Sequence, residues 1–168
     1  MSNINYLGIS QVFPCEPKYF TETCFCDVFS LPEKNKNINT ILSVNPTIDV
    51  LGINLIETPI EISNEGQHLL GYKLIVELSI CNKIIYLEHP LVDDNCCNNP
   101  ALSASLGNNL KSIFVILPCS ICGVDTCSLI RKKAFNIKPY IENMSMQVMD
   151  NRTIYFTMDI FINVSFDV

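Results

Sequence analysis

Residues 150–168 read DNRTIYFTMDIFINVSFDV, and from Ile154 every even-numbered position is apolar: Ile154, Phe156, Met158, Ile160, Ile162, Val164, Phe166 and Val168. The odd positions between them, Tyr155, Thr157, Asp159, Phe161, Asn163, Ser165 and Asp167, are mostly polar. Successive side chains of a strand point to opposite faces of its sheet, so alternation over this length predicts a half-buried β-strand. Aromatic and β-branched residues fill the stretch, with no Gly or Pro to interrupt it. The remainder of the chain is expected to supply the sheets that cover this strand.

Working outward, Asp150-Asn151-Arg152 reads as the turn into the terminal strand, preceded by short strands over 132–139 and 144–149. Further upstream, Leu70, Tyr72, Leu74, Val76, Leu78 and Ile80 alternate with Gly71, Lys73, Ile75, Glu77 and Ser79. A tight turn at Cys81-Asn82-Lys83 and a return strand over 84–87 would make this a hairpin. Runs 38–44 and 47–57 are apolar and β-branched, split by the turn signal Asn45-Pro46, with a bulge expected at Gly52 and a turn at 63–66. Residues 93–109 read as a long polar loop, 111–117 as a short strand, and 119–127 as a cysteine-rich loop with room for one helical turn. Eight or nine strands without helical periodicity predict an all-β fold, a β-sandwich or jelly-roll-like domain.

Residues 1–39 read as an N-terminal extension, a cysteine-bearing arm in front of a domain spanning 40–168. The arm carries Pro14, Pro17, Pro32 and the polar run 33–37, yet also Phe13, Tyr19, Phe20, Phe25 and Phe29. Aromatics of that number are expected to dock, on the chain's own domain or on a neighbour.

A net charge of −6 argues against nucleic acid, whose phosphates need a basic face. No apolar run reaches the roughly 18 residues of a membrane span. Apolar residues make up 48% and charged ones 17%, a balance that hints at apolar surface buried against partners. Residues 1–11 have neither the basic n-region nor the apolar h-region of a secretory signal, so export by that route is not expected. Nine cysteines sit awkwardly with that, because disulfides are rare in reducing compartments.

Residue chemistry narrows the function further. Cys119-x-x-Cys122 with Cys127 supplies part of a zinc ligand set, but no second close pair completes a tetrahedron, and Cys96-Cys97 are adjacent. No metal or cofactor is assigned. A thioredoxin-like reading of the CxxC fails for want of a βαβ unit. His68 and His89 lie near no nucleophile motif, so no catalytic residues are assigned and the chain reads as non-enzymatic. The odd cysteine count leaves a thiol for an intermolecular bridge. The cross-link candidates are Cys15, Cys24, Cys26, Cys96, Cys97, Cys119, Cys122 and Cys127, the three in the arm first.

Gly71-Tyr-Lys-Leu-Ile-Val-Glu, Lys83-Ile-Ile-Tyr, Ile113-Phe-Val-Ile-Leu-Pro, Ile141-Glu-Asn and Met149-Asp-Asn-Arg-Thr-Ile, followed by the long closing strand, stand in this order. Together they resemble the SPOCS-type domain of spore coat and spore-surface proteins from spore-forming bacteria, over about 38–168. The cysteine-rich loops and the arm are particular to this chain. The resemblance implies a structural role at the spore surface, in coat, exosporium or surface appendage, with copies of itself and other spore-surface proteins as partners. It also implies synthesis in the mother-cell cytoplasm without a signal peptide. Thiols exposed to oxidising surroundings when that cell lyses could then become inter-subunit disulfides. The alternative is a monomeric β-sandwich binding or adaptor module, recognising a glycan or another coat protein through the loops at 93–109 and 118–128.

Overall fold

The computed structural model describes residues 4–64, 66–88 and 101–167. Its elements in chain order are β1 (Asn5–Tyr6), β2 (Tyr19–Ser30), β3 (Ile38–Ile62), β4 (His68–Glu88), β5 (Leu102–Pro118), β6 (Ser120–Ile121), β7 (Val124–Asp125), α1 (Thr126–Arg131), β8 (Phe135–Val148) and β9 (Thr153–Phe166). The fold is all-β. Three sheets form among these elements: β1-β3-β4-β5, β2-β9-β8 and the small ribbon β6-β7.

The alternating C-terminal stretch becomes β9, the central strand of the three-stranded sheet. β2 pairs with it antiparallel from Tyr19 opposite Val164 to Ser30 opposite Thr153. β8 lies antiparallel along its other side. Ile154, Phe156, Met158, Ile160, Ile162 and Val164 are all buried, as the period-two pattern requires. β4 plays the matching part in the four-stranded sheet, burying Leu74, Val76, Leu78, Ile80, Ile84 and Tyr86. The buried faces of both sheets join in one hydrophobic cluster.

Four expectations are corrected here. The hairpin turn at Cys81-Asn82-Lys83 does not form; β4 runs straight through, flanked by β3 on one side and β5 on the other. Alternation continues through Asn82, and none of the three residues takes the positive φ that a tight hairpin turn demands. Asn45-Pro46 is not a turn but the interior of the 25-residue β3. Among the described residues its outer side carries only β1, at Ser43 and Val44, so the N–H that Pro46 lacks costs no pairing there. The expected loop at 93–109 is strand from Leu102 onward, while 93–100 lies outside the described residues. The two short strands over 132–149 are one strand, β8, with a register shift between Ile141 and Asn143. The expected bulge at Gly52 is present as a register shift between Val50 and Gly52, and the turn at 63–66 closes with Gly66 N–H donating to Ser63 O at 2.9 Å.

The N-terminal segment is not an appendage either. β2 is a full edge strand of the three-stranded sheet, and Phe25 and Phe29 pack on the common core. Residues 4–10 close the gap between β3 and β8. Leu7 N–H donates to Val44 O at 2.8 Å, Ser10 N–H to Ile141 O at 2.8 Å, and Met146 N–H to the Tyr6 hydroxyl at 3.0 Å. The chain crosses from β2 to β3 at a corner that Arg152 holds. Its guanidinium donates to the carbonyls of Asn35 (2.9 Å), Pro32 (2.8 Å) and Leu31 (3.3 Å) and to Asn37 Oδ1 (2.9 Å). Five donors in a rigid fork suit arginine to gathering several acceptors at once.

Candidate functional site

The cysteines fall into three settings. Cys24 and Cys26 project from the outer face of β2, where exposed and half-buried residues alternate strictly. Cys24 stands opposite Asp159 and Cys26 opposite Thr157 on β9. A hydrogen bond with Asp159, reinforced by slight burial and by that carboxylate's charge, pushes the Cys24 thiol above its ordinary value. A hydrogen bond with Cys26 raises the Tyr155 hydroxyl in the same way. On the same outer face Phe20 stacks on Phe161 at 5.2 Å, and Phe13 reaches Tyr140 at 5.5 Å and Phe161 at 6.3 Å. These rings hold the N-terminal segment against its own sheet.

The second setting is the loop after β5. Cys119 and Cys122 are exposed and Cys127 is half-buried. The β6–β7 ribbon turns at Cys122 (φ 51) and Gly123 (φ 81), both left-handed, as a two-residue primed turn requires. A non-glycine residue there is uncommon. Asp125 caps α1, accepting from Ser128 N–H and Ser128 Oγ, each at 2.8 Å. Those two bonds, hydroxyl first, hold its carboxyl below the usual range. Thr126 Oγ1 donates to Pro118 O at 2.6 Å and ties the loop back to β5. Gly71, at φ 117, leaves the room that Cys119 Sγ occupies; a Cβ at that position would collide with the sulfur.

The third setting is a cleft of about 430 Å³ walled by 14–19, by Ile121 and Cys122, and by 163–166. Cys15 and Cys122, two exposed thiols from opposite ends of the chain, both line it. Cys81 is half-exposed on the outer side of β4, while Cys96 and Cys97 lie outside the described residues, as does His89. Among the described residues no three His, Cys, Asp or Glu side chains come together as a metal site. Cys119, Cys122 and Cys127 therefore do not converge on one ion, although they share a loop.

The strand expected over 111–117 is present as the second half of β5, and the surface feature that the sequence reading missed is its first half, 102–110, together with the strand's outer face. Its outward positions carry Leu102 (66% exposed), Leu106 (66%), Leu110 (72%) and Phe114 (38%), whereas Ser105 and Gly107 face the core. Over 102–110 this is amphipathicity turned inside out, whereas Ile113, Val115 and Leu117 in the second half are buried in the ordinary sense. At position 107 the reason is Phe29 of β2: a Cβ there would lie 2.7 Å from its ring, so only glycine fits beneath it. A second apolar edge lies on β3, where Leu51, Ile53, Ile56, Ile60 and Ile62 are exposed and only β1, at Ser43 and Val44, pairs along the outer side among the described residues. Comparison with family models, curated proteins and solved structures finds no match to this chain.

Proposed function

We propose that this chain is a non-enzymatic structural protein of the bacterial spore surface, assembling with copies of itself through its β-domain and N-terminal segment. The spore attribution rests on the resemblance of the strand motifs, and coat, exosporium and surface appendage are all compatible addresses. The two sheets around one core are read as a β-sandwich of jelly-roll-like wrapping, a shape that tiles through edges and faces. The observation that carries the self-assembly reading is the outer face of β5, where Leu102, Leu106, Leu110 and Phe114 are exposed, while the core face of its first half holds only Ser105 and Gly107. Soluble monomers seldom leave a contiguous apolar stripe in water, and such stripes mark contacts with other proteins. The free β3 edge supports it, because unpaired strand backbone is a template for strand addition. Exposed thiols on several faces are suited to locking such contacts as disulfides once the surroundings become oxidising.

Light scattering at graded concentrations, with and without reductant, tests the reading. The wild-type chain is expected to form large species. The double variant Leu106→Lys, Leu110→Lys is expected to run as a folded monomer with an unchanged β-type circular dichroism spectrum. A wild-type monomer in every condition overturns the reading.

That second outcome would promote the alternative, a binding or adaptor module. The cleft between 14–19 and 163–166 favours it, since ligand sites are concave and largely apolar with a few polar groups. A glycan or another coat protein would then be the partner, and the sedimentation of a labelled monomer with isolated coat material would be the measurement.

A further inference from the structure

β2 is an edge strand that ends the order β2-β9-β8; it runs close to β5 without pairing with it, and its core-facing Phe25, Asp27 and Phe29 reach Lys111 and Gly107 there. Cys24 and Cys26 sit two residues apart on its outer face, both exposed. They cannot join each other within the strand. Positions i and i+2 are about 6.6 Å apart along the chain, with parallel Cβ vectors, whereas a disulfide needs Cβ atoms about 4 Å apart. Nor does the neighbouring strand offer a partner, because Asp159 and Thr157 stand opposite them. Two thiols at this spacing on a strand that, among the described residues, pairs on one side alone call for a partner strand that presents thiols at the same spacing.

We propose that two copies of the chain pair antiparallel through β2, centred on Phe25, and that Cys24 of each copy forms a disulfide with Cys26 of the other. This inference rests on the self-assembly reading and names one of its contacts. Antiparallel pairing about Phe25 sets Cys24 directly across from Cys26 of the second copy, twice, by symmetry. Directly opposed residues of an antiparallel pair have Cα atoms about 4.5–5.5 Å apart, within the range a disulfide spans. The same register sets Thr23 across from Asp27, Glu22 across from Val28 and Phe20 across from Ser30, so no carboxylate faces another. Registers centred on Cys24 or on Cys26 use one pair of thiols and strand the other. Each bridge removes two protons and two electrons from two thiols; oxidised glutathione takes up both and departs as two reduced thiols.

Complementation between two variants tests the pairing. Cleavage after Lys18 and Lys34 releases both cysteines in one peptide, 19–34. After treatment with oxidised glutathione, the wild-type digest is expected to contain peptide 19–34 linked to itself. Cys24→Ser alone and Cys26→Ser alone are each expected to reduce that product to background, because every remaining thiol then faces a serine. An equimolar mixture of the two variants is expected to restore it, with peptide from one variant joined to peptide from the other. Cross-linking of either variant on its own, or a mixture that stays unlinked, overturns the proposal. If light scattering shows large wild-type species that lack the linked peptide, this contact fails while self-assembly stands; a monomer throughout overturns both.

Discussion

Asn82 is the residue most at odds with its surroundings. It is 2% exposed, between Ile80 and Ile84 on the core face of β4, and neither its amide nitrogen nor its oxygen has a hydrogen-bond partner among the described residues. An unsatisfied buried polar group costs about 1–3 kcal/mol. Asn82→Leu, close in volume, is therefore expected to raise stability by about 1 kcal/mol or more, read as a higher urea midpoint at unchanged slope. A lowered midpoint would mean that the amide is satisfied in solution. Asp150 acts in the opposite sense. The Arg152 N–H donates to it at 2.7 Å, and this bond, followed by the Thr153 side chain, holds its carboxyl below the ordinary range. A carboxyl lowered on folding stabilises above its unfolded pKa and loses that contribution as pH falls through the folded one. Asp125 and Glu88 are lowered too, so stability should fall as the solution is acidified through and beneath the ordinary carboxylate range. Glu142, raised by burial and by Glu22 and Asp159, pulls the other way, since its charged form is the one that folding disfavours. Asp150→Asn keeps an acceptor but loses the charge, and melting temperatures across a pH series should show a shallower acid limb than wild type.

At the scale of elements, β2 carries the clearest prediction. Removing residues 1–39 takes away β1 and β2, uncovering one whole flank of β9 and removing Phe25 and Phe29 from the core they pack on. The truncated chain is expected to lose cooperative unfolding in calorimetry, not merely its self-association. A sharp transition would restore the view of 1–39 as a detachable arm. β9 was legible because every even residue from Ile154 to Val164 is apolar and every one is buried. β4 was half legible. Its alternation was read correctly up to Ile80, but Cys81-Asn82-Lys83 has turn-like composition, and local composition outweighed a period that resumes at Ile84. β5 was also half legible: 111–117 was read as strand, but Ser103, Ser105, Gly107 and Asn109 look like loop, and the pairing with β4 that makes them strand, like the ring of Phe29 that keeps position 107 small, 78 positions away in sequence, is a long-range contact. Pairings made across such distances leave little trace in composition. The cysteine positions were legible as residues, whereas their grouping was not, since Cys15 meets the Cys122 cleft and Cys24 shares a face with Cys26 only once the sheets are folded.

For the whole molecule, one fact joins the readings: the chain hides one apolar face of each sheet and leaves another in water on the four-stranded side. A net charge of −6 keeps copies apart until a specific contact forms. Apolar residues on β5 and on the β3 edge face opposite ends of one sheet, so contacts through both would be heterologous, closing into rings or continuing as fibres according to the angle between copies.

The pairing of β2 with β9 also fixes how the molecule would answer to force. Tyr19 stands opposite Val164, so the start of β2 and the end of β9 emerge at the same end of one antiparallel ladder. Pulling those two points apart loads the first rung alone, then the next, each hydrogen bond yielding at its own modest cost. Pulling along the strand axes, at Tyr19 of β2 and Thr153 of β9, instead shears all the rungs of the ladder together. The bonds that tie 4–10 to β3 and β8 keep a pull on the residues before Tyr19 from reaching that first rung directly.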